Sequence, residues 1–484
     1  MELKKNDIYE AEMVDYTTEG SGVCRINGVA VFVPAAAVGD RARVRILKTA
    51  GSYAFGRIEE LTVPSQNRVC PDCDISVKCG GCTFRHISYG SELQFKQKRV
   101  YDALTRIGGV DGSLIGSIIG ADRPDHYRNK AQLPVTLDGD GRVRVGFFAQ
   151  RSHRVIPLDE CRLQNESFND AIAVFLDWAS QSGVKPYDEK NHTGILRHLY
   201  LRYASRTNEL MVCVVANAKE LRKEKLLVSM LRERLPQLKT VVLNTNTERT
   251  NVITGSLCRT LYGEGFITDE LCGLRFRISP LSFYQVNRDQ AERLYTKAAE
   301  FADLKGDETL LDLYCGTGTI GLSMASGAKS LIGVEIVPQA IEDAKKNARE
   351  NGITNAEFIC ADAAAAADQL DRRGVRPDCI ILDPPRKGCD SSLIRTVAGM
   401  SPKRVVYVSC DPATLARDVK LFSELGYNME KAVPVDMFPR TVHVETVVLM
   451  SLPLTEHEKY GEYFMNRSVS DIMSEYSEQH DEWH

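Results

Sequence analysis

Short stretches in which apolar and polar residues alternate fill residues 1–61: EAEMVDYTT, GSGVCRING, VAVFVPAA, DRARVRILKT and AFGRIEELTV, separated by Gly-rich turns. A period of two is that of a strand with one face in a core. Five such strands predict a small barrel of the oligonucleotide-binding kind. Within it Arg41, Arg43 and Arg45 recur at every second position and so share one face. That face is either an ordinary solvated surface or a stripe that meets phosphates.

Beyond Pro64 the pattern changes. Pro64 to Arg85 is a Cys- and Gly-rich loop, and SELQFKQKRVYDALTRI has the spacing of an amphipathic helix that stops at Gly108-Gly109. Residues 115–270 alternate strand and helix patterns without a motif that chemistry alone can name. From residue 271 the apolar runs TLLDLYCGTG, SLIGVEIV, AEFICADA, CIILDPPR, RVVYVSCDP and VETVVLM follow one another with loops or helical segments between them. Near-continuous apolar strands of this kind belong to a parallel sheet covered on both faces. The predicted fold is therefore α/β: a barrel over 1–61, an α+β central domain over 62–270, a Rossmann-like domain over 271–455, and an acidic, polar tail over 456–484. There are no internal repeats.

Composition narrows the classes. With 484 residues, 43% hydrophobic and 26% charged, the chain is globular and multidomain. No run approaches the ~18 apolar residues of a membrane helix, and MELKKNDIYEAEM lacks the apolar stretch of a signal peptide. A cytoplasmic protein with no membrane partner is expected, and nothing implies an obligate protein partner. A net charge of −4 argues against indiscriminate coating of nucleic acid, so any RNA site must be a local patch. The 14 cysteines, in a long chain without an export signal, read as thiols, metal ligands or nucleophiles rather than disulfides.

TLLDLYCGTGTIGLSMA is a strand, a Gly-rich turn and a helix start, in which Gly316, Gly318 and Gly321 let the backbone approach a ligand. The next strand ends in Glu335, placed to accept hydrogen bonds from ribose hydroxyls, and two later strands end in Asp362 and Asp383. No Lys or Arg lies in the turn to hold a pyrophosphate, which favours S-adenosylmethionine over a dinucleotide. Cys410 ends VVYVSC and opens a helical DPATLARD, where a helix N-terminus favours thiolate. Carbon 5 of a pyrimidine becomes nucleophilic only after something adds to carbon 6, and a thiolate is the natural adding group. The carbon 5 proton must later leave to a base. Glu445 begins an otherwise apolar strand, where an idle carboxylate is costly. His443, two residues earlier, is read as structural.

LDPPRKG, sixteen residues, VVYVSCDPATLARD and then DMFPRTVHVET together resemble the RNA uridine-5 methyltransferases, and the likeness runs from the barrel through residue 450. The resemblance implies a class I methyltransferase domain, with Cys410 as nucleophile and Glu445 as the base. It also implies cofactor contacts from Gln285, Tyr314, Glu335 and Asp383. One departure is Asp411, where many members carry Asn; a negative charge there tends to raise a thiol's pKa. VCPDCDISVKCGGC, read alone, could be a zinc knuckle with unusually close pairs. The family's iron–sulfur branch instead implies a 4Fe-4S cluster on Cys73, Cys79, Cys82 and Cys161, with Cys70 spare. A TRAM-type barrel plus that cluster resembles the enzymes of 23S ribosomal RNA, the transfer-RNA enzyme lacking both features. Three other readings stay open: adenine amino-group methylation, which wants an aromatic where Arg386 stands; cytosine-5 methylation, which wants Pro before the nucleophile where Ser409 stands; and a non-catalytic RNA-binding iron–sulfur sensor.

Overall fold

The computed structural model describes residues 3–150 and 152–453. The acidic tail expected over 456–484 lies outside them. No described helix is long and apolar enough to cross a membrane.

The N-terminal sheet has six strand segments, two of which are halves of one bent strand. Ile8–Glu12 pairs with Arg41–Ala50, and after Met13 and Val14 the chain turns so that Asp15–Tyr16 pairs with Gly22–Ile26. One strand thus bridges both edges and closes five strands over a core of Met13, Cys24, Val31, Val44 and Ile46. The arginine face is the solvated alternative. Arg41 lies 3.1 Å from Glu12, Arg43 2.9 Å from Glu60 and Arg45 2.8 Å from Glu59. Pairs this accessible to water contribute little to stability, but they leave the stripe electrically balanced.

The central seven-stranded sheet carries the helices Ser167–Ser182 and Glu224–Arg234 on one face, where Phe175, Trp178, Leu227 and Leu231 pack on Leu199, Leu201, Val212 and Val241. Its other face holds Tyr200, Cys213, Val215 and Val242.

The last sheet runs Ala356–Cys360, Ser330–Glu335, Thr309–Leu313, Cys379–Leu382, Arg404–Ser409, Glu445–Ser451, Asn428–Val435. Its first five strands are parallel, as expected. Two features differ from the sequence reading. Glu445–Ser451 runs antiparallel to both neighbours, and Asn428–Val435 is an edge strand that went unread, because exposed Glu430 and Lys431 and a bulge after Met429 interrupt its apolar pattern. The reversal matters for chemistry: in a parallel strand Glu445 would begin at the far edge of the sheet, ~20 Å from Cys410 at 3.3 Å per residue.

The helix predicted over 91–107 spans Tyr89–Arg106. Its apolar face does not stay with the central domain. Val100 and Leu104 bury in the same core as Leu311, Leu382 and Leu415, and Ile115 and Ile119 bridge to Ala432 and Val435.

Candidate active site

The carboxyl ends of the parallel strands open a crevice on either side of Thr309–Leu313, the general location for ligands in such sheets. The turn that follows is built for close approach: Tyr314, Gly316 and Gly318 have φ of 72°, 57° and 82°. Tyr314 is the one of the three that pays strain for that conformation. Beneath the turn, buried Asp312 accepts from Gly321 N at 2.9 Å, and a Cβ at Gly321 would stand 2.7 Å from that same oxygen. Burial pushes Asp312 up to about 8, and its Oδ1 has no partner among the described residues. Sequence reading passed over Asp312 because it sits inside an apolar strand, not at its end.

Glu335 is fixed by two amides, Gly316 N at 3.2 Å and Val337 N at 2.9 Å. Asp362 caps the helix Ala363–Arg372 through Ala364 N and Ala365 N. The carbonyl of Gln285 accepts from Asn129 Nδ2 at 2.9 Å, and its side chain meets the buried hydroxyl of Tyr295, which also lies 3.2 Å from Thr319 Oγ1. Asp383 faces the same hydroxyl electrostatically. Gln285 and Asp383 thus meet at the Tyr295 hydroxyl, and Glu335 is tied to the Gly-rich turn that Tyr314 opens.

Cys410 sits at the lip of the crevice. Ser409 pairs with Thr446, so Cys410 and Glu445 are the next residues in register and face each other. Burial, then Glu445 and Asp383, push the thiol up to about 11, while Arg386 opposes them. This corrects the expectation of a helix-stabilised thiolate: Asp411 Oδ1 takes the free amides of Ala413 at 2.9 Å and Thr414 at 3.2 Å, so the start of the helix Pro412–Glu424 is already occupied. Asp411 also lies 3.7 Å from Arg99. Burial and Asp383 raise Glu445 to about 8, and burial alone raises Asp383 to about 7. His443 is held neutral, pushed down to about 4 by burial and by Arg386 and Arg99; its Nε2 is 3.5 Å from Arg386.

A buried network holds the segment leading to Glu445. Lys96 Nζ donates to Glu92 at 2.7 Å, Asp436 at 2.6 Å and the Phe438 carbonyl at 3.1 Å, and Arg440 N donates to Glu92 at 2.7 Å. Lys96 and Arg99 were missed in the sequence, where their i, i+3 spacing on one helix was the only signal.

Cys73, Cys79, Cys82 and Cys161 line one cavity of about 180 Å³ together with Arg85 and Arg128, whereas Cys70 is exposed and outside it. Among the described residues no three His, Cys, Asp or Glu side chains converge tightly enough for a single metal ion. Cys70, one of the four thiols a zinc knuckle over residues 70–82 would use, stands apart from the other three. Arg85 is buried against Cys82, 3.0 Å from Asp72 and 2.6 Å from Asp125.

Comparison with known proteins gives a consistent picture. The profile of the family described as tRNA (Uracil-5-)-methyltransferase matches residues 88–452, and that of the TRAM domain matches residues 4–58. An uncharacterized RNA methyltransferase of Clostridium tetani is 44% identical over 93% of this chain and 97% of its own. Another, from Halalkalibacterium halodurans, is 44% identical over 93% and 98%. The crystal structure of the Pyrococcus abyssi tRNA (uracil-54, C5)-methyltransferase with S-adenosyl-L-homocysteine superposes with a TM-score of 0.73 at 27% identity, covering 91% of this chain and all of that one.

Proposed function

The chain belongs to the tRNA (uracil-5-)-methyltransferase family and is an S-adenosylmethionine-dependent RNA (uracil-5-)-methyltransferase, and from that premise we propose that it methylates carbon 5 of a uridine in 23S ribosomal RNA through a covalent adduct with Cys410. The observation that carries the mechanism is the register that sets Cys410 opposite Glu445, with Asp383 and Arg386 acting on both.

The target base leaves its stack and enters the crevice, since its carbon 6 is otherwise shielded. Cys410, having lost its proton to water, adds to carbon 6, and the electrons move to an enolate across carbons 5 and 4. Carbon 5 takes the methyl carbon from the sulfonium, whose sulfur keeps the bonding pair. Glu445 as carboxylate removes the carbon 5 proton, the 5,6 double bond re-forms, and the thiolate departs. Gln285, Tyr314, Glu335 and Asp383 hold the methyl donor. Cys73, Cys79, Cys82 and Cys161 would hold a 4Fe-4S cluster, supported by their shared cavity and the exclusion of Cys70. Methyl transfer needs no electrons from such a cluster, so it would tie the loop 73–82 to Cys161 and shape the RNA surface.

A second reading, transfer RNA as substrate, is favoured by the likeness to the archaeal enzyme, a tRNA (uracil-54, C5)-methyltransferase. The 9% of this chain it leaves uncovered is shorter than residues 1–61, so at least part of the barrel has a counterpart there and the barrel by itself does not separate the two RNAs. Mapping 5-methyluridine in 23S and transfer RNA from a strain lacking the gene decides: loss from 23S is expected, loss from transfer RNA alone overturns the ribosomal assignment, and loss from neither overturns both.

A further inference from the structure

The central sheet is covered by helices on one face only, and near the rim of the other a cavity of about 380 Å³ is lined by Phe148, His153, Tyr187, Lys190, Arg197 and His198. His198 lies within the strand Leu196–Ala204, opposite Pro134 and Val215. Alternation places it on the face of Tyr200 and Arg202. Its side chain is only 6% exposed, yet neither ring nitrogen has a partner among the described residues. Buried polar atoms are normally satisfied, so an imidazole with two free nitrogens lining a cavity points to something that binds there.

The walls say what kind of group fits. The Phe148 ring meets His198 edge to face at 6.4 Å, and the Tyr187 ring is backed by the Arg197 guanidinium at 4.7 Å. Arg197 is not free to grip a phosphate, because it donates to the carbonyls of Asn246, Glu248 and Thr250 at 3.1, 2.7 and 3.2 Å. Asp188 and Glu189, also in the lining, offset Lys190 and Arg197, so the cavity has no excess of positive charge for a phosphate. Burial and Arg197 keep the imidazole neutral, pushed down to about 4, so it offers one N–H and one lone pair. A neutral, planar group with a donor beside an acceptor is a nucleobase, and single-stranded RNA is read by stacking such bases on aromatic rings. The loop that presents Tyr187 depends on Gly194, φ 88°, where a Cβ would stand 2.0 Å from the Pro186 carbonyl oxygen.

We propose that this cavity receives an unstacked base of the substrate RNA other than the methylated uridine, with His198 pairing to its edge and Phe148 and Tyr187 contacting its face; this rests on the RNA-methyltransferase reading above. The site adjoins the cysteine loop, since Phe147 lines the thiol cavity and its neighbour Phe148 lines this one. The test uses the full chain and the RNA it methylates, transcribed with 4-thiouridine or 8-azidoadenosine in place of a fraction of the parent nucleoside. After irradiation, cross-links to peptides carrying Phe148, Tyr187 or His198 are expected. His198→Phe, which keeps the ring volume and removes both nitrogens, and the less buried Tyr187→Ala should each raise KM for RNA about tenfold, which is about 1.4 kcal/mol, while kcat and KM for S-adenosylmethionine stay put. A folding defect would lower the active fraction instead. Unchanged KM in both variants, or cross-links confined to the Cys410 crevice, overturns the proposal. A wild-type protein that methylates no RNA would overturn the underlying reading instead.

Discussion

Replacing Glu445 by Gln separates what this carboxyl does to the fold from what it does in the reaction. Glu445 is 7% exposed and is raised from an ordinary 4.5 to about 8 by burial and Asp383. The folded chain therefore keeps a proton that the unfolded chain has already released. Stability from that proton is full below the unfolded pKa, drains as pH rises, and is exhausted above the folded pKa. At ~1.4 kcal/mol per pH unit the whole window amounts to on the order of 5 kcal/mol. Gln keeps the shape and never ionises, so Glu445→Gln should gain on the wild type by about 1.5 kcal/mol at pH 5.5 and about 4.5 kcal/mol at pH 8.5. Urea unfolding midpoints of the two proteins at both pH values read this directly. The stabilised variant should be catalytically stalled: with RNA and S-adenosylmethionine it should hold a protein–RNA adduct that survives a denaturing gel. A stability gap that does not widen with pH, or free release of methylated RNA, refutes the reasoning.

Cys410→Ala should abolish both turnover and the covalent complex with 5-fluorouridine RNA, checked by methyl incorporation and gel shift. In the free wild type, alkylation of Cys410 by iodoacetamide should climb about tenfold per pH unit toward about 11 rather than level off near 9. Anaerobically purified Cys161→Ser should lose bound iron and acid-labile sulfide while Cys70→Ser retains them, because Cys161 lines the thiol cavity and Cys70 does not. Lys96→Met would strand Glu92 and Asp436 in the interior and should cost ~3–5 kcal/mol of stability, seen as a lowered urea midpoint.

The candidates Cys410 and Glu445 stood out in the sequence because each marks the end of an apolar strand, where a reactive or charged group contrasts with its neighbours. Six of the seven strands of the Rossmann-like sheet were legible as apolar runs. Their directions were not: an apolar run reads alike in either sense, and the antiparallel entry of Glu445–Ser451 is set by the edge strand before it. The partners of Arg41, Arg43 and Arg45 lie 14–29 positions away, so alternation showed a shared face but not its neutralisation. The salt bridge of Lys96 to Asp436 spans 340 positions, beyond any local pattern. Asp411 could be read as a charged neighbour of the thiol, but the groups that raise it most, burial and the carboxylates of Glu445 and Asp383, come together only through the pairing of strands far apart in the chain.

The packing of Tyr89–Arg106 and Ile115–Ile119 among strands that lie some 300 residues later has a bearing on biosynthesis. A ribosome releases the helix first and its partners last, and at ~5–20 residues per second the wait is tens of seconds. Throughout that interval Val100 and Leu104 have no permanent home, while the intervening sheet can already mature. A gene fragment starting at residue 271 would lack the piece its product needs to close, so a self-sufficient catalytic fragment would have to splice residues 89–119 back in.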